Sequence, residues 1–131
     1  MRIIPAALLA AALSLPVAAT AEAAASILGS WSGRGSVRIK QSGQVEPVSC
    51  SIRYEAGTGR TFVLNATCAS TAGTFQQSGR VVQNSRNSYT GRLYSDQYAV
   101  SGNVRISVSG GSQTLRVSSP KGSGSIKLRK R

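Results

Sequence analysis

The segment CSIRYEAGTGRTFVLNATC, residues 50–68, decides how the chain is read. Apolar or small residues alternate with polar ones on both sides of EAGTGR, a cluster of turn formers, so the segment reads as two strands and a turn. Folded as a hairpin about that turn, it sets Cys50 opposite Cys68, Ile52 opposite Ala66 and Tyr54 opposite Leu64. Residues two apart share a face of a strand, so this register puts every apolar partner, and both cysteines, on one side. The chain has two cysteines and no histidine. A bridge is therefore expected in place of a metal site, and no cofactor is expected. A disulfide closing a loop of this size contributes on the order of 3 kcal/mol.

A disulfide needs an oxidising compartment, and the N-terminus supplies the route. Residues 1–25, MRIIPAALLAAALSLPVAATAEAAA, combine Arg2, an apolar stretch and small residues suited to signal peptidase. Cleavage sites of the A-x-A kind end at Ala21, Ala23 and Ala25, and the last leaves Ser26 first. The expected organisation is a signal peptide at 1–25 and one domain at 26–131, periplasmic or secreted. No later segment is apolar enough to span a bilayer as a helix. Losing the signal removes Arg2 and Glu22 together, so the net charge stays at +12, with Glu46, Glu55 and Asp96 as the remaining acids.

From Trp31 onward the period-two alternation of the hairpin recurs between clusters of Gly, Ser, Asn and Asp, and no helical periodicity competes with it. Eight strands are expected, near 30–40, 45–55, 61–70, 73–83, 87–95, 98–108, 112–119 and 123–130. Short connections make neighbours antiparallel. The fold class is all-β: a single small antiparallel barrel, or a closed sandwich, of about eight strands. The inward face collects Trp31, Val37 and Ile39, then Val48, Cys50, Ile52 and Tyr54, then Phe62, Leu64, Ala66 and Cys68. Later strands add Phe75, Val81, Tyr89, Leu93, Val100, Val104, Ile106, Val108, Leu115, Val117, Ile126 and Leu128. Gly33, Gly35, Gly79, Gly91, Gly102 and Gly124 fall on the same register. They read as bends or close backbone approaches, with a ligand cavity as the alternative.

The outward register carries Arg34, Arg38 and Lys40, then Arg53, Arg80, Arg92, Arg105, Arg116, Lys127 and Arg129. Every expected strand but the third presents a cation. Such a wall is too polar for a transmembrane barrel. Solubilising charge is normally mixed in sign, so this imbalance points to a partner that brings negative charge. Arg38, Arg53, Arg80, Arg92, Arg105 and Arg116 are the candidate anion-binding set. The expected partners are anionic envelope polymers or lipid headgroups, because the planar guanidinium suits phosphate and carboxylate. Too few exposed aromatics accompany them for dedicated nucleic-acid recognition.

Gly29-Ser30-Trp31 resembles the G-x-W start of lipocalins and other calycin barrels. In those families the tryptophan closes one end of the barrel under a basic side chain from the last strand. The resemblance implies Trp31 and Arg129, or Lys127, as the closing pair, although period-two alternation turns both cations outward. WSGRG, CSIRY, CAS, GRL and SIKLR together resemble small secreted proteobacterial β-proteins that carry no assigned activity, which implies an envelope or secreted location. The layout is also similar to small periplasmic inhibitors of secreted metalloproteases, making a protease an alternative partner. Those inhibitors use a free N-terminal trunk, whereas only residues 26–28 would precede Gly29 here.

Catalysis is not expected. The mature chain lacks histidine, has three dispersed acids, and contains neither a G-x-S-x-G elbow nor a phosphate-cradling glycine loop. The reading is a non-enzymatic, exported, cationic binding protein. The alternatives are a protease inhibitor and a carrier of a small apolar ligand, which would quench Trp31 fluorescence from inside the barrel.

Overall fold

The computed structural model describes residues 27–96 and 100–131. The expected signal peptide at 1–25, Ser26, the strand start at 98–99 and the side chain of Val100 lie outside the described residues. The strands are β1 (Gly29–Ile39), β2 (Val45–Ala56), β3 (Thr61–Ser70), β4 (Gly73–Ser85), β5 (Ser88–Ser95), β6 (Val100–Ser109), β7 (Ser112–Ser119) and β8 (Gly122–Lys130). Each pairs antiparallel with its successor, and β8 returns to β1, closing the barrel. Among the described residues no sheet edge is left unpaired, which removes the aggregation hazard of an open β-structure. Between β4 and β5 the register shifts at Gln83/Ser85, an irregularity that alternation alone did not predict.

The β2–β3 hairpin has the expected register: Cys50 faces Cys68, Ile52 faces Ala66 and Tyr54 faces Leu64. Cys50 and Cys68 form the disulfide, with Cα atoms 4.1 Å apart. Both are buried inside the barrel among Val48, Ile52, Leu64 and Ala66. The expected core residues are buried, except that Val37, Phe75 and Val117 are only partly so and Ile39 is half-buried at a rim. Ile27, Ser95 and Gln113 are buried as well. Ser95 and Gln113 follow the same period-two register as Leu93 and Leu115, but their polarity hid them from a search for apolar residues.

Gly33, Gly35, Gly79 and Gly91 are close backbone approaches, whereas Gly102 borders interior space at one end of the barrel. A Cβ at Gly35 would lie 2.0 Å from the Ser125 carbonyl oxygen, and one at Gly79 would lie 2.0 Å from that of Arg92. Neighbouring backbones occupy the space a side chain would need. Strands can coil tightly enough to close a narrow barrel only where such positions lack a Cβ.

Candidate functional site

The barrel ends differ. At the end formed by the start of β1 and the finish of β8, Trp31 is completely buried, and its indole N–H donates to the Ile27 carbonyl at 2.8 Å. Ile27 is thereby folded onto the barrel, so residues 27–28 are not a free trunk. Phe62 and Tyr89 pack edge to face beside this plug, ring centroids 5.6 Å apart. The Tyr54 hydroxyl donates to the Gln113 side-chain oxygen. Burial pushes the Tyr54 phenol well above its usual range; the Gln113 hydrogen bond opposes that shift and nearby Tyr89 adds to it.

The cation over the Trp31 ring is Lys130, its Nζ 5.7 Å from the centroid. This corrects the expected pairing with Arg129 or Lys127. In the β1–β8 register Trp31 faces Lys130, while Arg129 faces Ser32 and Lys127 faces Arg34 on the outward side. Alternation along β8 buries Ile126 and Leu128 and carries Lys130 to the same side, leaving Lys127 and Arg129 exposed.

At the opposite end, where β1 runs into β2 and β7 into β8, the barrel opens on a cavity of about 400 Å³. Val37, Ile39, Val48, Phe75, Leu93 and Val117 supply its apolar wall. Glu46, Ser95 and Lys121 also face it. The Ser95 hydroxyl is buried and has no hydrogen-bond partner among the described residues. Trp31 does not line this cavity, which withdraws Trp31 quenching as its diagnostic.

On the outer wall all six candidate anion-binding arginines are exposed, but pairing divides them. Arg80 lies directly opposite Arg92, Arg105 opposite Arg116, and Lys127 opposite Arg34. The steps between these pairs are diagonal: Arg92 faces Asn103, two residues before Arg105, and Arg116 faces Ser125, two before Lys127. Opposed Cβ atoms in a sheet are about 5 Å apart and diagonal ones about 7–8 Å. A continuous ladder of six cations therefore crosses β4, β5, β6, β7, β8 and β1. Arg38 and Arg53 stand off it. Arg38 reaches the Gly43 carbonyl at 3.5 Å, and Arg53 pairs with Glu55 at 3.1 Å, the one ion pair among the described residues. Arg34 and Lys127 join the ladder through cross-strand register, which no single strand's alternation reveals.

Among the described residues no cluster of His, Cys, Asp or Glu could hold a metal ion, and no helix is long and apolar enough to cross a membrane.

Comparison with solved structures now adds to this geometry. The fold is that of designed β-barrels. The chain is similar to a redesigned β-barrel, mFAP1, bound to DFHBI, with a TM-score of 0.67 at 10% identity over 79% of this chain and 94% of that one. It is similar also to a de novo designed fluorescence-activating β-barrel, with a TM-score of 0.65 at 16% identity over 86% of this chain and all of the other. At such identities the likeness concerns the fold alone. No protein-family model matches the sequence, and no curated protein is significantly similar to it.

Proposed function

We propose that the protein is a non-enzymatic, exported binding protein whose outer wall holds anionic envelope components through the cation ladder. The observation that carries this reading is the direct opposition of Arg80 to Arg92, Arg105 to Arg116 and Lys127 to Arg34. Like charges directly opposite one another destabilise a sheet, and among the described residues no ion pair neutralises any of the six. Arg92 is held by Asn103 at 3.0 Å and Ser101 at 3.2 Å, neutral partners that orient the guanidinium and leave its charge available. A phosphate- or carboxylate-bearing polymer laid along the ladder would relieve the repulsion. Lipopolysaccharide phosphates, acidic glycans and anionic lipid headgroups share this chemistry. With cleavage after Ala25, burial of Ile27 would leave Ser26 alone ahead of the barrel, which disfavours the inhibitor alternative.

Exposed charge pairs contribute about 0–1 kcal/mol each, so affinity has to come from many contacts and weaken steeply with salt. The Debye length falls from about 8 Å at physiological ionic strength to about 3 Å at 1 M. The test compares two triple variants of equal net charge. Arg92→Gln/Arg105→Gln/Arg116→Gln removes the middle of the ladder, and Arg38→Gln/Arg53→Gln/Arg60→Gln removes cations outside it. Retention on immobilised lipopolysaccharide at moderate salt should fall much further in the ladder variant. Equal loss in both would reduce the wall to a non-specific positive coat, and no loss in either would refute the reading.

The cavity at the open end favours a second reading, carriage of a small apolar ligand inside the barrel. Both activities fit one molecule, since one uses the outer face of each strand and the other the inner.

A further inference from the structure

We propose that the open-end cavity binds a small apolar molecule bearing a hydrogen-bond donor head, such as a phenol or alcohol, with Glu46 and Ser95 meeting that head. The proposal rests on the second reading above, carriage of a ligand inside the barrel, and is independent of what the outer wall binds.

Size and lining point to a ligand. About 400 Å³ walled by Val37, Val48, Phe75, Leu93 and Val117 falls in the lower part of the range of small-molecule sites, and such sites combine apolar walls with a few polar groups that fix orientation. Glu46 lies on the inward register of β2, two residues from buried Val48, and is half-buried. It has no ion pair among the described residues, in a chain with 16 Lys and Arg. A carboxylate only accepts hydrogen bonds, so it selects a donor. Ser95 is 6% exposed, and its hydroxyl lacks a partner among the described residues while its residue lines the same cavity. A buried hydroxyl without a partner is unfavourable unless something supplies the missing bond. A donor head that gives its hydrogen to one of these oxygens and can accept from the Ser95 hydroxyl satisfies both.

Lys121 is the competing charged group, beside the neutral Ser70, Gln77, Ser119 and Ser123 that also line the cavity. It sits on the turn between β7 and β8, exposed, and also borders the cavity. With the chain's positive charge it would favour an anionic head, so the probes must distinguish the two chemistries.

The experiment measures binding of 1-naphthol, naphthalene and 1-naphthoate to the oxidised mature protein by equilibrium dialysis. The three share one ring system and differ in offering a donor, nothing or an anion. 1-Naphthol is expected to bind saturably at one site and about tenfold or more tighter than either of the others, the size expected for a hydrogen bond to a charged acceptor. The Glu46→Leu/Ser95→Ala variant, which removes both oxygens, should bring 1-naphthol and naphthalene to within about threefold, with a thermal transition no lower than that of the parent. Leu93→Trp should fill the cavity and abolish binding of all three; if it does not fold, the selectivity of the double variant decides. Non-saturable 1-naphthol binding, equal or tighter binding of naphthalene or 1-naphthoate, or selectivity that survives the double variant would each overturn the proposal.

Discussion

At one end of the barrel Trp31, Tyr54, Phe62 and Tyr89 are buried along with Ile27, and polar edges there are used: the indole N–H on Ile27, the Tyr54 hydroxyl on Gln113. At the other end the inward positions hold Ile39, Val48, Phe75, Ser95 and Val117, and they leave a cavity of about 400 Å³. The disulfide lies between, its two residues lining a small void of about 30 Å³ that shares Val48, Phe75, Leu93 and Val117 with the cavity above. The same strands make both ends, so the difference comes from side-chain volume. Large aromatic side chains plug a narrow barrel, and the smaller ones at the far end leave interior space unfilled. The largest buried side chains are therefore concentrated at one end and unfilled interior space at the other.

Truncating the plug should break that contrast most severely. Trp31→Ala is expected to destabilise by about 3–5 kcal/mol, as deletion of a fully buried large aromatic does, measured by urea unfolding. A loss below about 1 kcal/mol would mean that the plug contributes little. Next comes the bridge: Cys50→Ala/Cys68→Ala should lose about 3 kcal/mol and also weaken 1-naphthol binding, because the pair sits beneath the cavity floor.

Tyr54→Phe should cost about 1–3 kcal/mol, since it leaves the buried Gln113 amide without its remaining partner. The pH dependence separates this from simple packing. The folded state keeps the Tyr54 phenol neutral while the unfolded chain ionises it near pH 10, so the folded state binds more protons above that pH. Stability should be intact below about pH 10 and decline above it by about 1.4 kcal/mol per unit from this group. The Phe variant should lack that component of the alkaline loss. The smallest effect belongs to the open end. Ser95→Ala removes an unpartnered buried hydroxyl and should be neutral or stabilising by up to about 1 kcal/mol. A clear destabilisation in thermal melts would show that Ser95 holds the rim together and has no ligand-facing role.

Much of this layout is legible in the strand pattern. Alternation from Trp31 onward places all eight strands, and the turn EAGTGR with its flanking apolar residues specifies which cysteine faces which, because a one-residue slip would turn every apolar side chain to the solvent. Gly33, Gly35, Gly79 and Gly91 were legible as close approaches, because a glycine inside a strand marks where backbones come near, but the pattern did not separate them from Gly102, which lines the cavity. Gln113, Ser95 and Glu46 were equally visible by register, yet hydrophobicity is the usual guide to the interior and it passes over polar residues that face inward. Ile27 carried no signal, since three residues ahead of a strand have no periodicity to read.

What the sequence determined by itself is each strand's identity, its two faces and its pairing with the next strand across a short turn, because these follow from local backbone geometry and the period of two. What only the tertiary structure decided depends on closure. The return of β8 to β1 selects Lys130 over Arg129 for Trp31 and sets Lys127 opposite Arg34. The accumulated registers align six scattered cations into one ladder and leave Arg38 and Arg53 outside it. The packing of whole side chains decides which end is plugged and which stays open. Each of these depends on the relative offset of residues far apart in the chain, and no local pattern encodes that offset.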